Sequence, residues 1–62
     1  MAYISYSSPK VGDWVITKKV HKSMSGKFTV GSRVQVIGIN PMRGYDIQDE
    51  EGHRMLEIGW EI

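Results

Sequence analysis

The chain has 62 residues and no cysteine, with 8 lysines and arginines against 7 aspartates and glutamates. A chain of this length forms one domain at most, and the lack of cysteine excludes disulfides, thiol catalysis and cysteine zinc sites. No apolar run approaches the roughly 18 residues of a membrane helix, and the first residues do not resemble a signal peptide. We therefore expect a soluble, cytoplasmic domain that makes no contact with a membrane.

Charge is distributed unevenly along the chain. Residues 1–43 carry seven lysines and arginines and one aspartate, which gives +6, whereas residues 44–62 carry six acids and one arginine, which gives −5. The two values sum to the net charge of +1. Because a small barrel places early and late strands side by side, we expect the basic and acidic parts to pair in part.

Residues 1–8, MAYISYSS, alternate weakly and run into Pro9, a pattern that predicts an N-terminal arm or an edge strand. The main domain is then expected over residues 9–62. An exposed arm with β propensity is also an edge at which a second chain can pair. We therefore expect a monomer or a weak homodimer.

The first predicted strand of the domain follows the turn dipeptide at residues 12–13. Its alternation does not decide between Trp14 with Ile16 and Val15 with Thr17 as the buried pair. We favour Trp14 and Ile16, because these two side chains bury more apolar area.

A polar stretch follows this strand, and it is too long for a tight hairpin. Residues 19–27 are rich in lysine and serine and contain Gly26, so they predict a loop of about ten residues. Phe28 is expected to return the chain to the core, and residues 30–32 read as another turn.

Residues 33–39, RVQVIGI, form the clearest strand of the sequence. Val34 and Val36 share one face, and Gly38 interrupts the alternation, which predicts a bulge or a sharp bend. The next strand, residues 45–49, is expected to place Tyr45 inward.

The last part of the chain predicts further short elements. Ile47 is expected to point inward, and Gly52 is expected to take a positive φ in the turn that follows. A fourth strand over residues 53–58, one short helical turn at residues 58–60 and a last short strand complete the pattern. Five short strands with regular turn signals predict an all-β domain, which closes most economically into a small barrel.

Several residues occur in an order that is familiar from one superfamily. The order begins with a Val-Gly-Asp opening, a Thr-Lys strand end and a loop that contains His and Lys. A Phe and a Gly then precede a Val-rich strand. These residues are 11–13, Thr17, Lys18, His21, Lys22, Phe28, Gly31, Val34 and Val36. With the strand, turn and strand of residues 44–54, this order resembles the SH3-like barrel superfamily, and it is similar to small phage and prophage proteins of Gram-positive bacteria.

The resemblance implies a five-stranded SH3-like barrel over residues 9–62, with a long first loop and a short helical turn before the last strand. It implies no catalytic residue. Eukaryotic SH3 domains bind proline-rich peptides through an aromatic patch. This chain lacks the adjacent tyrosines and the paired tryptophans of that patch, so the resemblance does not extend to proline-rich ligands.

The sequence contains no arrangement that is typical of catalysis or metal binding. His21 and His53 are far apart and do not have metal-ligand spacing, so we expect them to face solvent or form local hydrogen bonds. The acidic residues 46–51 lack the alternation of a calcium loop and read as a solvated turn. No serine lies in a nucleophile elbow, and no glycine-rich phosphate loop is present. We expect no enzymatic activity, no cofactor and no metal.

Two groups of residues are candidates for partner binding. The four lysines of residues 18–27 could contact phosphates, although the loop has no aromatic residues between them on which bases could stack. Large aromatics beside an exposed methionine and arginine are typical anchors of protein interfaces. The candidate residues are Lys18, Lys19, Lys22, Lys27, Met42, Arg43, Tyr45 and Trp60.

Three functional hypotheses follow from these groups. The first is a protein-interaction module of phage or prophage type that binds a host protein and modulates it. The second is nucleic-acid binding through residues 18–27. The third is a structural or assembly role in which the N-terminal arm pairs between chains.

Overall fold

A computed structural model describes residues 8–24 and 26–62, and these residues form six short strands. The strands are β1 (Trp14–Ile16), β2 (His21–Ser23), β3 (Gly26–Phe28), β4 (Arg33–Asn40), β5 (Gly44–Asp49) and β6 (Arg54–Met55). A four-stranded antiparallel sheet has the order β1-β4-β5-β6, and β2 pairs with β3 in a separate antiparallel hairpin. The all-β class is confirmed, but six strands in two sheets that do not close into one barrel replace the predicted five.

The predicted N-terminal arm lies almost wholly outside the described residues, which begin at Ser8, and its role stays a prediction. Within the described part of the chain, no helix is long and apolar enough to cross a membrane.

The buried face of β1 is the opposite of the predicted one. Val15 and Thr17 are buried, whereas Trp14 is partly exposed and Ile16 is exposed. The Thr17 hydroxyl donates a hydrogen bond of 2.7 Å to the carbonyl of Thr29 and accepts one of 2.9 Å from the Ser32 N–H. Because both bonds satisfy the buried hydroxyl, apolar area alone did not decide the orientation.

The predicted loop at residues 19–27 contains the β2–β3 hairpin. His21 lies opposite Phe28, Lys22 opposite Lys27, and Ser23 opposite Gly26. The buried pair, His21 and Phe28, faces the core, so Phe28 is buried as predicted.

The core lies on the inner face of β4 and β5. Val34, Val36 and Ile47 are fully buried, and Tyr45 is buried beside them, as the alternation predicted. The pairing of β4 with β5 shifts register between Val36 and Gly38, which confirms the predicted irregularity. The sheet thus has one apolar face, while its other face keeps polar and partly exposed side chains.

The C-terminal segment differs from the prediction in its details. The strand expected over residues 53–58 is limited to Arg54–Met55, and residues 58–60 do not form a helical turn. They run beside the start of β5 instead, where Gly59 forms a parallel bridge with Gly44. The predicted last strand is absent from the described residues, although the Lys18 N–H donates a 3.1 Å hydrogen bond to the carbonyl of Ile62.

The basic and acidic parts of the chain pair in space, as predicted. Three exposed ion pairs each join a cation from the first part to an acid from the second. They are Lys19–Glu61 at 3.5 Å, Arg33–Glu50 at 3.8 Å and Arg43–Glu57 at 3.9 Å. Exposed pairs of this kind contribute little to stability, so their main effect is to cancel surface charge.

Candidate functional site

Among the described residues, Trp60 is the large aromatic that the fold leaves half exposed, at one end of the sheet. Its exposed fraction is 53%, whereas that of Tyr45 is 4%. The two rings meet edge to face, with centroids 5.3 Å apart and planes at 79°. Such a geometry is favoured by the ring quadrupoles, so buried Tyr45 acts as a support that fixes the orientation of Trp60. Tyr45 itself is too buried to be a contact residue.

The backbone beneath Trp60 is held by direct hydrogen bonds between two segments. The Tyr45 N–H donates to the carbonyl of Gly59 at 3.0 Å, and the Gly59 N–H donates to the carbonyl of Arg43 at 3.1 Å. Gly44 has a φ of 103°, and a Cβ built on it would lie 2.1 Å from the Gly59 carbonyl oxygen. Only glycine permits this approach, and the approach places Trp60 beside the turn that follows β4.

Met42 and Arg43 project from that turn. The side-chain oxygen of Asn40 accepts hydrogen bonds from the N–H groups of Met42 at 2.9 Å and of Arg43 at 3.1 Å. This Asx turn orders the backbone while 89% of Met42 stays exposed. Met42 precedes Arg43 in the chain and Trp60 follows Gly59, and the backbones of Arg43 and Gly59 are joined by a hydrogen bond. We call Met42, Arg43 and Trp60 the tryptophan patch.

The four predicted lysines are divided by the fold into two pairs. Lys18 and Lys19 follow β1 near the end of the chain, where Lys19 contacts Glu61. Lys22 and Lys27 instead lie directly opposite each other on the exposed face of the hairpin. In the described part of the chain no carboxylate lies within 4.0 Å of either hairpin lysine. Like charges directly opposite each other destabilise a hairpin, so this pair is a local cost to the fold.

His21 is neither solvent-facing nor locally bonded, which corrects the prediction. Its exposed fraction is 5%, and its Nε2 lies 2.7 Å from the carbonyl oxygen of Ile62. Since a carbonyl oxygen only accepts hydrogen bonds, Nε2 carries a hydrogen and donates the hydrogen bond. His21 is therefore a structural residue, because its ring is buried and its Nε2–H forms a hydrogen bond with a backbone carbonyl.

His53 matches the prediction of a local hydrogen bond, and Asp49 is its partner. Asp49 accepts at Oδ1 from the N–H groups of Glu51 at 3.0 Å and His53 at 2.9 Å, and at Oδ2 from the His53 ring at 3.0 Å. Partial desolvation raises the pKa of Asp49, but these hydrogen bonds outweigh it and leave the pKa below the usual value. The hydrogen bond with Asp49 and the attraction of nearby carboxylates raise the pKa of His53.

The same turn holds a group of side chains with metal-ligand chemistry. Asp49, Glu51 and His53 each bring one ligand atom to within 4.8 Å of the others. The hydrogen bond between Asp49 and His53, and the 3.5 Å contact between Glu51 and the His53 ring, already account for this convergence. We therefore assign the group to the structure of the turn.

A cleft of about 580 Å³ opens between the hairpin and the end of the four-stranded sheet. Its volume falls within the usual range of ligand sites. Buried Phe28 and Met55 line it together with the exposed basic side chains of Lys27, His53 and Arg54. Gly26, three hydroxyl side chains and one carboxylate complete the lining; the side chains are those of Ser23, Thr29, Ser32 and Asp49.

Of the cleft residues, only Lys27 was a candidate from the sequence. Arg54 and His53 lie more than 20 positions from the hairpin, and only the folded chain brings them to the same cleft. The one sequence signal was the isolated arginine at position 54 within the acidic part of the chain.

No protein-family model matches this sequence, and comparisons with curated proteins and with solved structures give no significant match. The tryptophan patch, the hairpin lysines and the cleft are therefore interpreted from their own geometry and chemistry.

Proposed function

We propose that the protein is a non-catalytic module that binds another protein through the tryptophan patch. One observation carries the proposal: Trp60 is half exposed, yet it is held edge-on against buried Tyr45 at 5.3 Å. A rigid aromatic loses little conformational entropy on binding and buries a large apolar area, which is why tryptophan is enriched among interface hot spots.

The surroundings of Trp60 support the same proposal. Met42 offers an exposed and flexible apolar side chain, and methionine adapts well to partner surfaces. Arg43 is exposed and pairs only loosely with Glu57 at 3.9 Å, so both charges are accessible at the rim of the patch. An apolar centre with a polar rim is the usual anatomy of a protein interface.

An SH3-like architecture is part of this proposal. Its support is the hydrogen bond that brings Ile62 against the segment that follows β1, where the Lys18 N–H donates to the Ile62 carbonyl. That contact partly bridges the gap between the first strand and the last segment. A phage or prophage origin and a host protein as the partner belong to the proposal in the same way, and they rest on the resemblance in residue order.

An affinity-capture experiment with matched variants tests the protein-binding proposal. Immobilised wild-type protein, Trp60→Ala and Val30→Ala are exposed to the same lysate, with Val30 serving as an exposed apolar control outside the patch. The proposal predicts one protein that is retained by the wild type and the control at moderate salt and lost by Trp60→Ala. Equal retention by all three would contradict the tryptophan patch as the binding surface.

A second candidate function is nucleic-acid binding through the hairpin. Lys22 and Lys27 are adjacent across the strands, exposed, and without an ion pair in the described part of the chain. A cost to hairpin stability of this kind is offset when an anion binds between the two charges. Labelled DNA and RNA at two salt concentrations test it, because binding through two phosphates weakens with salt with a log–log slope of about −1.8 on duplex DNA and about −1.4 on single strands. Binding that does not respond to salt would contradict it.

The assembly role of the N-terminal arm also stays a proposal. It predicts an oligomer that dissociates when residues 1–8 are deleted, which analytical ultracentrifugation measures directly. A monomer at high concentration, with or without these residues, would contradict it.

A further inference from the structure

Strand β6 is a free edge of the four-stranded sheet among the described residues. The sheet order ends at β6. Among the described residues, β6 pairs only with β5, so its other side has no neighbouring strand. The register places Ile47 opposite Met55 and Gln48 opposite Arg54. An edge strand with unpaired backbone groups is a template for the addition of another strand.

The register also shows which residue presents these backbone groups. The Asp49 N–H donates to the carbonyl of His53 at 2.9 Å, so these two residues form a hydrogen-bonded pair. Hydrogen-bonded and non-hydrogen-bonded pairs alternate along antiparallel strands, so Arg54 is in a non-hydrogen-bonded position. Its N–H and carbonyl therefore point away from β5, toward the open side of the sheet.

The charges in the adjoining cleft favour an acidic occupant. Lys27 and Arg54 line the cleft, and neither has an ion pair with a carboxylate of the described residues. The one acid in the lining, Asp49, already accepts three hydrogen bonds. Of the acids that follow it, Glu50 pairs with Arg33 at 3.8 Å, and the Glu51 carboxylate lies 3.5 Å from the His53 ring.

We propose that the cleft binds an extended acidic peptide, which adds to β6 as a further strand of the sheet. The peptide backbone exchanges hydrogen bonds with Arg54, and its acidic side chains contact Lys27 and the Arg54 guanidinium. This mode of recognition derives affinity from the backbone and specificity from alternate side chains. The site lies at the other end of β5 from Trp60, so it does not depend on the tryptophan patch.

A peptide titration followed by amide NMR tests the proposal. The probe is an acetylated, amidated pentapeptide of alternating glutamate and valine, added to the full chain. The expected result is saturable shifts of the amide signals along Gly26–Phe28 and Arg54–Met55, with no such shifts from the corresponding lysine–valine peptide. The charge reversals Lys27→Glu and Arg54→Glu each weaken binding about five-fold, as expected from the loss of an exposed ion pair.

Two N-methylated peptides separate strand addition from simple charge attraction. Successive N–H groups of an extended strand point to opposite sides, so methylation at one position blocks pairing with β6 while methylation at the next does not. We expect one methylated peptide to lose binding and the other to retain it. Equal binding by both peptides would overturn the proposal. The absence of shifts at about 5 mM peptide would also overturn it, because a dissociation constant of that size corresponds to a binding free energy of only ~3 kcal/mol.

Two control variants keep this proposal distinct from the tryptophan patch. Lys10→Glu makes the same charge reversal at an exposed position outside the cleft lining, and Trp60→Ala removes the proposed protein-binding anchor. Both variants are expected to bind the acidic peptide like the wild type. Loss of peptide binding in either one would contradict the assignment of the peptide to the cleft.

Discussion

His21 and Ile62 are joined by a hydrogen bond of 2.7 Å between the Nε2 of the ring and the backbone carbonyl oxygen, across 41 positions of sequence. The same oxygen accepts the Lys18 N–H at 3.1 Å. One carbonyl therefore connects the C-terminal segment both to the hairpin and to Lys18, in the segment that follows β1. In a domain of this size, where the buried core is small, a long-range polar contact is a substantial part of what holds the segments together.

His21→Ala is expected to lower the free energy of unfolding by about 2 kcal/mol, because it removes a buried ring and a buried hydrogen bond. Urea denaturation followed by circular dichroism measures this difference. Met24→Ala, a substitution at a fully exposed position after β2, is the control and should stay within about 0.5 kcal/mol of the wild type. Equal effects of the two substitutions would show that His21 does not connect the segments.

Gly44→Ala is expected to destabilise the protein by more than about 4 kcal/mol or to prevent folding. The new Cβ would lie 2.1 Å from the Gly59 carbonyl oxygen, and the backbone would have to move. Gly31→Ala is the matched control, because Gly31 also has a positive φ, of 90°, but no atom lies within 4 Å of its ideal Cβ. That control should cost about 1–2 kcal/mol, from backbone strain alone. Thermal unfolding of the two variants distinguishes steric conflict from strain, and similar melting temperatures would contradict the close approach.

Lys22→Glu is expected to raise stability and to lower nucleic-acid affinity. The substitution turns the like-charged pair with Lys27 into an opposite pair, which stabilises the hairpin by about 0.5 kcal/mol. If the two lysines bind phosphates, the same change removes salt-dependent binding to single-stranded DNA. Chemical denaturation and fluorescence anisotropy measure the two effects. A variant that gains stability and keeps its affinity for DNA would separate the hairpin lysines from nucleic-acid binding.

The Asp49–His53 interaction is expected to stabilise the fold most between about pH 4 and pH 6.5. The pKa of His53 is raised above its usual 6.5, so its contribution is complete below that pH and is lost as pH rises through the raised value. The pKa of Asp49 is lowered from its usual 3.8, so its contribution is present above that pH and is lost as pH falls through the lowered value.

An NMR titration of the His53 ring measures this coupling directly. Asp49→Asn removes the charged partner, so the pKa of His53 should fall toward its usual 6.5. Glu51→Gln should lower it less, because the Glu51 carboxylate makes the weakest of the contributions that raise this pKa. An unchanged His53 pKa in Asp49→Asn would contradict the hydrogen bond at 3.0 Å.

The sequence predicted those features of the fold that depend on local pattern. Alternation placed Val34, Val36 and Ile47 in the core, and Gly38 marked the irregularity in β4. Trp14 was placed on the wrong face: Val15 and Thr17 are the buried side chains, and two hydrogen bonds satisfy the Thr17 hydroxyl there. That hydroxyl finds its partners only after the chain has returned at residues 29–32.

The β2–β3 hairpin was missed because its inward positions hold one histidine and one phenylalanine. Histidine is polar and is therefore expected at the surface, and the burial of His21 depends on its hydrogen bond with the distant carbonyl of Ile62.

The candidate sites likewise depend on contacts between distant segments, which the sequence does not show. Trp60 was a candidate by residue type, but its support by Tyr45 is a contact between segments 15 positions apart. Arg54 stands out in the sequence as an isolated arginine, but nothing local to it indicates that it lines the same cleft as Lys27.

Site-specific photo-crosslinking tests the central claim, that the tryptophan patch binds a protein. A photoreactive amino acid replaces Met42 in one variant and Met24 in another, because both methionines are highly exposed and only Met42 lies in the patch. After irradiation in lysate, we predict one discrete crosslinked protein from position 42, none from position 24, and loss of the product when Trp60→Ala is added. The same products from both positions, or a product at position 42 that persists without Trp60, would contradict the claim.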